Sequence, residues 1–208
     1  LHGCITPHVN SRDNRIDGFL VTIYDDPTNP NPEGADTILV TDVYKYGARG
    51  NDGGPTLMSL FEAAYAQGRS GGTRSNFPYS GIAGGFGVWA MKDLTGNAAD
   101  LDINTPFWDS NDKIIETIND GRPVTAGTGP GILSPSTMTT MDGTELQVPK
   151  SHEFAVIAAD ENGVTLVNPH GRNKTPDGKT IPGGEFKLDW DEFNYVFRGV
   201  SLGGEYPE

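Results

Sequence analysis

Apolar and polar positions alternate with a period of two over Gly18 to Tyr24 and again over Thr37 to Tyr44, the pattern of half-buried strands. The Pro/Asn/Glu-rich stretch Asp25 to Asp36 joins them as a loop, and residues 1 to 17 are polar and irregular, predicting no element. The period then changes. Leu57, Leu60, Phe61, Ala64 and Tyr65 fall at i, i+3, i+4, i+7 and i+8, which predicts a helix over Pro55 to Gln67 with Pro55 in its first turn. Gly68 to Gly87 is glycine-dense and reads as a loop feeding a short helix, Phe86 to Leu94, ended by Gly96. This loop marks a junction between two subdomains, residues 1–84 and 85–208.

A second capped helix is predicted over Asp109 to Asn119, with Ile114, Ile115 and Ile118 on one face and Gly121 after it. A strand, Pro123 to Thr128, follows, and the long Ser/Thr/Gly/Pro-rich stretch Gly129 to Lys150 reads as loop. The runs Glu153 to Ala159 and Val164 to Val167, separated by Asp160-Glu161-Asn162-Gly163, predict a hairpin. Glu185 to Leu188, a helical turn at Asp189 to Tyr195 and a closing strand at Val196 to Leu202 complete the chain. Helices mixed with strands first, then mostly antiparallel strands, predict the α+β class.

Composition narrows the function classes. The 208 residues carry 28 acidic against 15 basic side chains, a net charge of −13, with no Lys/Arg cluster, which argues against a nucleic-acid partner. The longest apolar stretches are strand-sized, so no membrane span is expected. Cys4 is the only cysteine, so no disulfide forms within the chain. The chain starts at Leu1 with no signal-peptide pattern, from which a processed or truncated N-terminus is expected; the compartment is left open. The sequon Asn173-Lys174-Thr175 is too short a match to carry weight.

Candidate chemistry centres on the hairpin. His152 stands at the entry of its first strand and Asn168 at the exit of its second, and a hairpin brings such ends together. A histidine acting as a base needs an acceptor that fixes its tautomer, and an Asn carbonyl can serve as an Asp carboxylate does. The types and spacing suit a Cys-His-Asn site; on spacing alone they suit better an ordinary strand histidine and a turn asparagine before Pro169.

The surrounding words separate these alternatives. Ser151-His152-Glu153-Phe154-Ala155-Val156 and Val167-Asn168-Pro169-His170-Gly171 resemble the His and Asn motifs of calpain-type cysteine proteases, where a His opens an apolar strand and Asn-Pro-Trp-Gly follows. Leu60-Phe61-Glu62-Ala63-Ala64-Tyr65-Ala66-Gln67 is similar to a family helix, Gly84-Gly85 through Leu94-Thr95-Gly96 to its glycine loop and Thr-Gly turn, and Ile118 to Thr128 to the entry of its second subdomain. The resemblance runs in the family's order from about residue 18 to 202. It implies a papain-like fold, with an incomplete helical first subdomain and an antiparallel, β-rich second one. It further implies peptide-bond hydrolysis, with His152 as base and acid, Asn168 orienting the imidazole, and Gly84, Gly85 and Ser151 meeting the backbone of a polypeptide substrate.

The family's nucleophile lies upstream, in a Gly-Asp-Cys-Trp motif opening a long apolar helix, and this chain contains no such motif. Pro7 would disrupt a helix running on from Cys4, so Cys4 reads as a free thiol. The 208-residue chain alone is therefore expected to be inactive, its His and Asn served by an upstream or separate Cys-bearing segment. His170 replaces the family's shielding Trp, and Ser151 the Gly before the His. The rival readings are a pseudoprotease or binding module of papain-like fold, for which the acidic surface favours a basic partner, and a transglutaminase-like amidohydrolase. No cofactor is needed for the chemistry. The resemblance admits calcium, with Glu62 as one ligand, and Asp100-Leu101-Asp102-Ile103-Asn104 has the opening rhythm of a calcium loop. His2, Cys4 and His8 lack the second ligand pair of a metal motif and read as terminal polar residues.

Overall fold

The alternating segments near the start of the chain do pair as strands. The structure is a computed structural model and describes residues 4–24, 35–44, 54–70, 87–103 and 110–205. The chain divides into two compact units: Leu1–Gly85 with Lys92–Asn97, and Phe86–Met91 with Ala98–Glu208.

In the first unit, β1 (Ile5–Val9), β2 (Ile16–Tyr24) and β3 (Ala35–Val40) form an antiparallel sheet in that order. β1 corrects the expectation of an irregular N-terminus. As an edge strand it tolerates Pro7, whose missing N–H would break an interior ladder, and that proline hid it. β3 also starts earlier and stops sooner than the alternation suggested, at Val40 rather than Tyr44. Helix α1 (Leu57–Ser70) packs on β2 and β3 and buries Phe61, Ala63 and Ala64 against Val21, Ile23 and Val40. Thr56 and Ser59 cap its start: the Ser59 hydroxyl accepts from the Thr56 N–H at 2.9 Å and the Thr56 hydroxyl from the Ser59 N–H at 3.4 Å. Leu57, expected on the buried stripe, is 66% exposed, because the helix turns its alanines inward.

Helix α2 (Gly87–Thr95) begins among residues of the second unit and ends among those of the first, where Gly96 turns the chain with a φ of 72°. The glycine-dense residues before it, Gly84 and Gly85 included, lie outside the described residues.

The second unit is built on β4 (Ala99–Ile103), α3 (Asn111–Asn119), β5 (Val124–Thr128), β6 (Thr137–Thr139), β7 (Glu145–Gln147), β8 (Glu153–Asp160), β9 (Gly163–Val167), β10 (Arg172–Lys174), β11 (Thr180–Pro182), β12 (Glu185–Leu188), α4 (Trp190–Val196) and β13 (Phe197–Gly203). Six strands make one antiparallel sheet in the order β12-β9-β8-β5-β13-β4. The predicted hairpin is β8–β9, and Asp189 caps α4 by accepting from the Glu192 N–H at 2.8 Å. Two expectations of loop are corrected. The stretch from Gly129 to Lys150 contains the β6–β7 ribbon, whose three-residue strands are too short for a periodic signal. Asp100 to Ile103 is strand rather than loop: alternate residues Ala99 and Leu101 turn inward to pack with Val88 and Met91.

Residues with even numbers on β5, β8 and β13 face one side of the sheet, where Val124, Ala126, Phe154, Val156, Val200 and Leu202 join Ile114 of α3 and Phe193 of α4 in the main core. Phe154 is its aromatic hub, edge-on to Phe186 at 5.6 Å and to Phe197 at 5.5 Å between ring centroids. The whole is α+β and mostly antiparallel, as the order of elements predicted. Among the described residues no helix is long and apolar enough to cross a membrane. Phe154→Ala would empty the centre of this core and is expected to destabilise the protein by about 3–5 kcal/mol, read from the denaturant midpoint in equilibrium unfolding.

Candidate functional site

The register of β8 with its neighbours decides what meets at its entry. Val156 pairs with Leu166 and Ala155 with Val167, so Phe154 and His152 before that pair and Asn168 and His170 after it lie at the same end of the hairpin. All four positions therefore gather at one end of the sheet. Backbone bonds fix His152 from the β5 side: its carbonyl accepts from the Thr128 N–H at 2.9 Å, and its N–H donates to the Thr128 hydroxyl at 3.1 Å. The same hydroxyl donates to the Pro149 carbonyl at 2.6 Å, tying down the incoming chain. Before it, Ser151 holds a left-handed φ of 48°, which turns the chain into the strand.

The His152 Nε2 lies 3.1 Å from the Asn168 Oδ1. That oxygen also accepts from the His170 backbone N–H at 3.0 Å, and a backbone N–H can only donate, so the atom is the amide oxygen and its orientation is settled. An oxygen acceptor requires the hydrogen on Nε2. In the neutral ring Nδ1 then keeps the lone pair, and among the described residues it has no hydrogen-bond partner. Asn168 is itself held on every side: its Nδ2 donates to the buried Asn173 Oδ1 at 3.2 Å, and its N–H to the Gly184 carbonyl at 3.0 Å. Gly184 adopts a φ of 73°, and a Cβ there would come within 2.8 Å of the Asn168 carbonyl oxygen.

The His152 ring is half-buried, edge-on to Phe154 and stacked on His170, each at 4.9 Å between centroids. Burial, which disfavours the imidazolium, pushes its pKa below the ordinary 6.5; the bond to Asn168 opposes this, and charge on His170 adds to it. The result is a neutral imidazole at neutral pH, with its lone pair on a defined atom.

Of the other residues expected at a site, Gly84 and Gly85 lie outside the described residues. Ser151 is exposed beside His152, but its N–H already donates to the Gly129 carbonyl at 3.2 Å. Cys4 is a half-buried free thiol at the head of β1, packed with the first unit's core, and the residues that follow it form strand. His8 pairs with Asp17 at 2.6 Å, and His2 lies outside the described residues. Glu62 sits on α1. The Asp102 carboxylate accepts from Lys113 Nζ at 2.7 Å, and among the described residues no three His, Cys, Asp or Glu side chains converge as a metal site. Two residues escaped sequence reasoning. Thr128 reads as a strand terminus and Asn173 as a sequon, yet Asn173 is 5% exposed and braces Asn168. A strand of three residues after a turn gave no signal for it.

Three results are expected. In an imidazole NMR titration His152 has a midpoint below 6.5, and Asn168→Ala lowers it further by removing the bond that favours the charged ring. Because the unfolded chain takes up that proton first, His152 leaves stability intact above about pH 6.5 and erodes it as pH falls through the folded value. Ser151→Gly relieves the left-handed backbone and raises stability by up to about 1 kcal/mol, measured by thermal or denaturant unfolding.

No protein-family model matches this chain, and no curated protein matches its sequence.

Proposed function

We propose that this chain is the His- and Asn-bearing part of a calpain-type, papain-fold cysteine peptidase core. One observation carries the reading: Asn168 accepts from His152 Nε2 while its own orientation is set by a backbone donor, which leaves Nδ1 as the free base. A second support is the match of residue types, since the words around both residues resemble the family's His and Asn motifs.

In this reading a cysteine thiol approaches Nδ1 and gives up its proton. The thiolate attacks the substrate carbonyl, the leaving amine takes the proton back from Nδ1, and water then releases the acyl group. Asn168 keeps the ring from rotating through both half-reactions. Cys4 is not that thiol, so the cysteine comes from a Cys-bearing segment outside these 208 residues, and the chain alone is inactive. Gly84 and Gly85 remain the proposed contacts for substrate backbone, together with the surface around Ser151. Calcium is an open inheritance of the same resemblance, and Asp102, neutralised by Lys113, is not among its proposed ligands.

The experiment is peptide turnover, and labelling by a thiol-reactive peptide electrophile, on both the 208-residue protein and the full gene product. The short protein should show neither. A gene product carrying a Gly-x-Cys-Trp segment should label at that cysteine, and His152→Ala should lower its turnover by roughly 10²–10⁴-fold. Turnover by the short protein that survives Cys4→Ala but not His152→Ala would overturn the cysteine mechanism. A full product that neither labels nor cleaves would favour the pseudoprotease.

A further inference from the structure

On the face of the sheet opposite His152, the next residue in the chain places a carboxyl that the peptidase chemistry does not use. The Glu153 Oε1 lies 2.5 Å from the Thr125 hydroxyl on β5, and the carboxyl accepts from the backbone N–H of Gly87, the first residue of α2. The neighbouring N–H of Val88 donates to the Ser201 hydroxyl on β13 at 2.9 Å. Two glycines make the room. A Cβ at Gly87 would fall 2.1 Å from the Thr125 Oγ1 and 2.7 Å from the Glu153 Oε1, and one at Gly127 2.7 Å from the Glu153 Oε2. Side chains of two strands, β8 and β13, thus take up the N–H groups that open α2, groups that no helix can satisfy internally.

Among the described residues, the groups around this carboxyl carry no compensating charge. α2 brings Gly87 and Val88, β5 brings Thr125 and Gly127, and β13 brings Ser201; Asp102 of β4 faces Lys113 of α3. His152 packs with Phe154, on the core side. Among the described residues, a hydroxyl and an N–H are all that an ionised Glu153 has.

We propose that Glu153 is an acid-tightened clasp on the start of α2, in which the carboxyl bridges the Thr125 hydroxyl and the Gly87 N–H, and ionisation loosens the helix from the sheet. Once ionised, the carboxylate still accepts from both groups, but its charge is held in a poorly hydrated place with no cation among the described residues. The burial-driven upward displacement of the Glu153 pKa agrees with this. The sign follows from linkage. The clasped state holds the proton more tightly than an open one, so acid favours clasping, and the hold weakens as pH rises from the ordinary glutamate value of 4.5 through the clasped value. The clasp does not depend on the peptidase reading.

The test is amide hydrogen exchange and chemical shift at Gly87 and Val88 of the 208-residue protein across the acid to neutral range. The Gly87 amide shift should titrate with a midpoint above 4.5, and protection, corrected for intrinsic exchange, should rise toward acid. The rise should level off at the ratio of the open and clasped acid dissociation constants. Glu153→Gln, neutral and nearly isosteric, should abolish the titration and give the acid-level protection already at neutral pH. Thr125→Val should shift the midpoint upward, because the Thr125 bond lowers the pKa. Protection that falls toward acid, a Gly87 shift that stays flat, or a titration that persists in Glu153→Gln would overturn the clasp. Activity of the full gene product bears on the peptidase reading alone, so the two fail separately.

Discussion

The pairing of β8 with β9 is the constraint on which the rest of the second unit depends. A hairpin has only one register that buries Phe154, Val156 and Leu166 on the same side, and a slip of one residue would turn all of them to solvent. The turn enforces it: a Cβ at Gly163 would lie 2.1 Å from the Leu188 carbonyl oxygen, so β12 closes over a position only glycine can occupy. Once the apolar residues have settled the register, the residues one step outward have no choice. His152 and Asn168 meet because Phe154 and Leu166 are buried.

This explains why a polar pair can be held so firmly at the edge of an apolar core. Asn168 is 6% exposed, and an asparagine so buried needs partners for its amide. It finds them in His152, Asn173 and the His170 N–H, while Gly171 donates to its carbonyl at 2.9 Å. One face of the His152 ring is covered by a second imidazole, that of His170, stacked at 4.9 Å between centroids.

Most of the large elements could be read from periodicity, because long apolar stripes record the side that is buried. The helix at Leu57–Ser70, the β8–β9 hairpin and the capped α4 follow from their own residues. What escaped were elements whose reason lies elsewhere in the chain. β1 is a strand because β2 offers an edge, β4 because β13 does, and the two-stranded ribbons because their turns close them. The site divides in the same way. His152 and Asn168 could be read as a pair from types and spacing, whereas Thr128 and Asn173 act only through a register that no local pattern contains. Glu153 showed least of all: in the sequence it is a polar residue in a strand, and only the approach of α2 makes it a half-buried carboxyl.

The two ionisable neighbours in sequence, His152 and Glu153, are displaced toward neutrality by the same cause acting on opposite charges. Burial lowers the imidazole's pKa and raises the carboxyl's, and each finds neutral hydrogen-bonding groups instead of a counter-ion. For the histidine, that state leaves a lone pair on Nδ1 with no partner among the described residues. An anion brought to Nδ1 would supply the missing opposite charge and raise the imidazole's proton affinity. For the carboxyl the described residues offer no charged partner: the helix start that covers it brings N–H groups and the strands hydroxyls. Strand alternation sends these two adjacent side chains to opposite faces of one sheet, and thereby gives one a place where charge can later be stabilised and the other a place where it cannot.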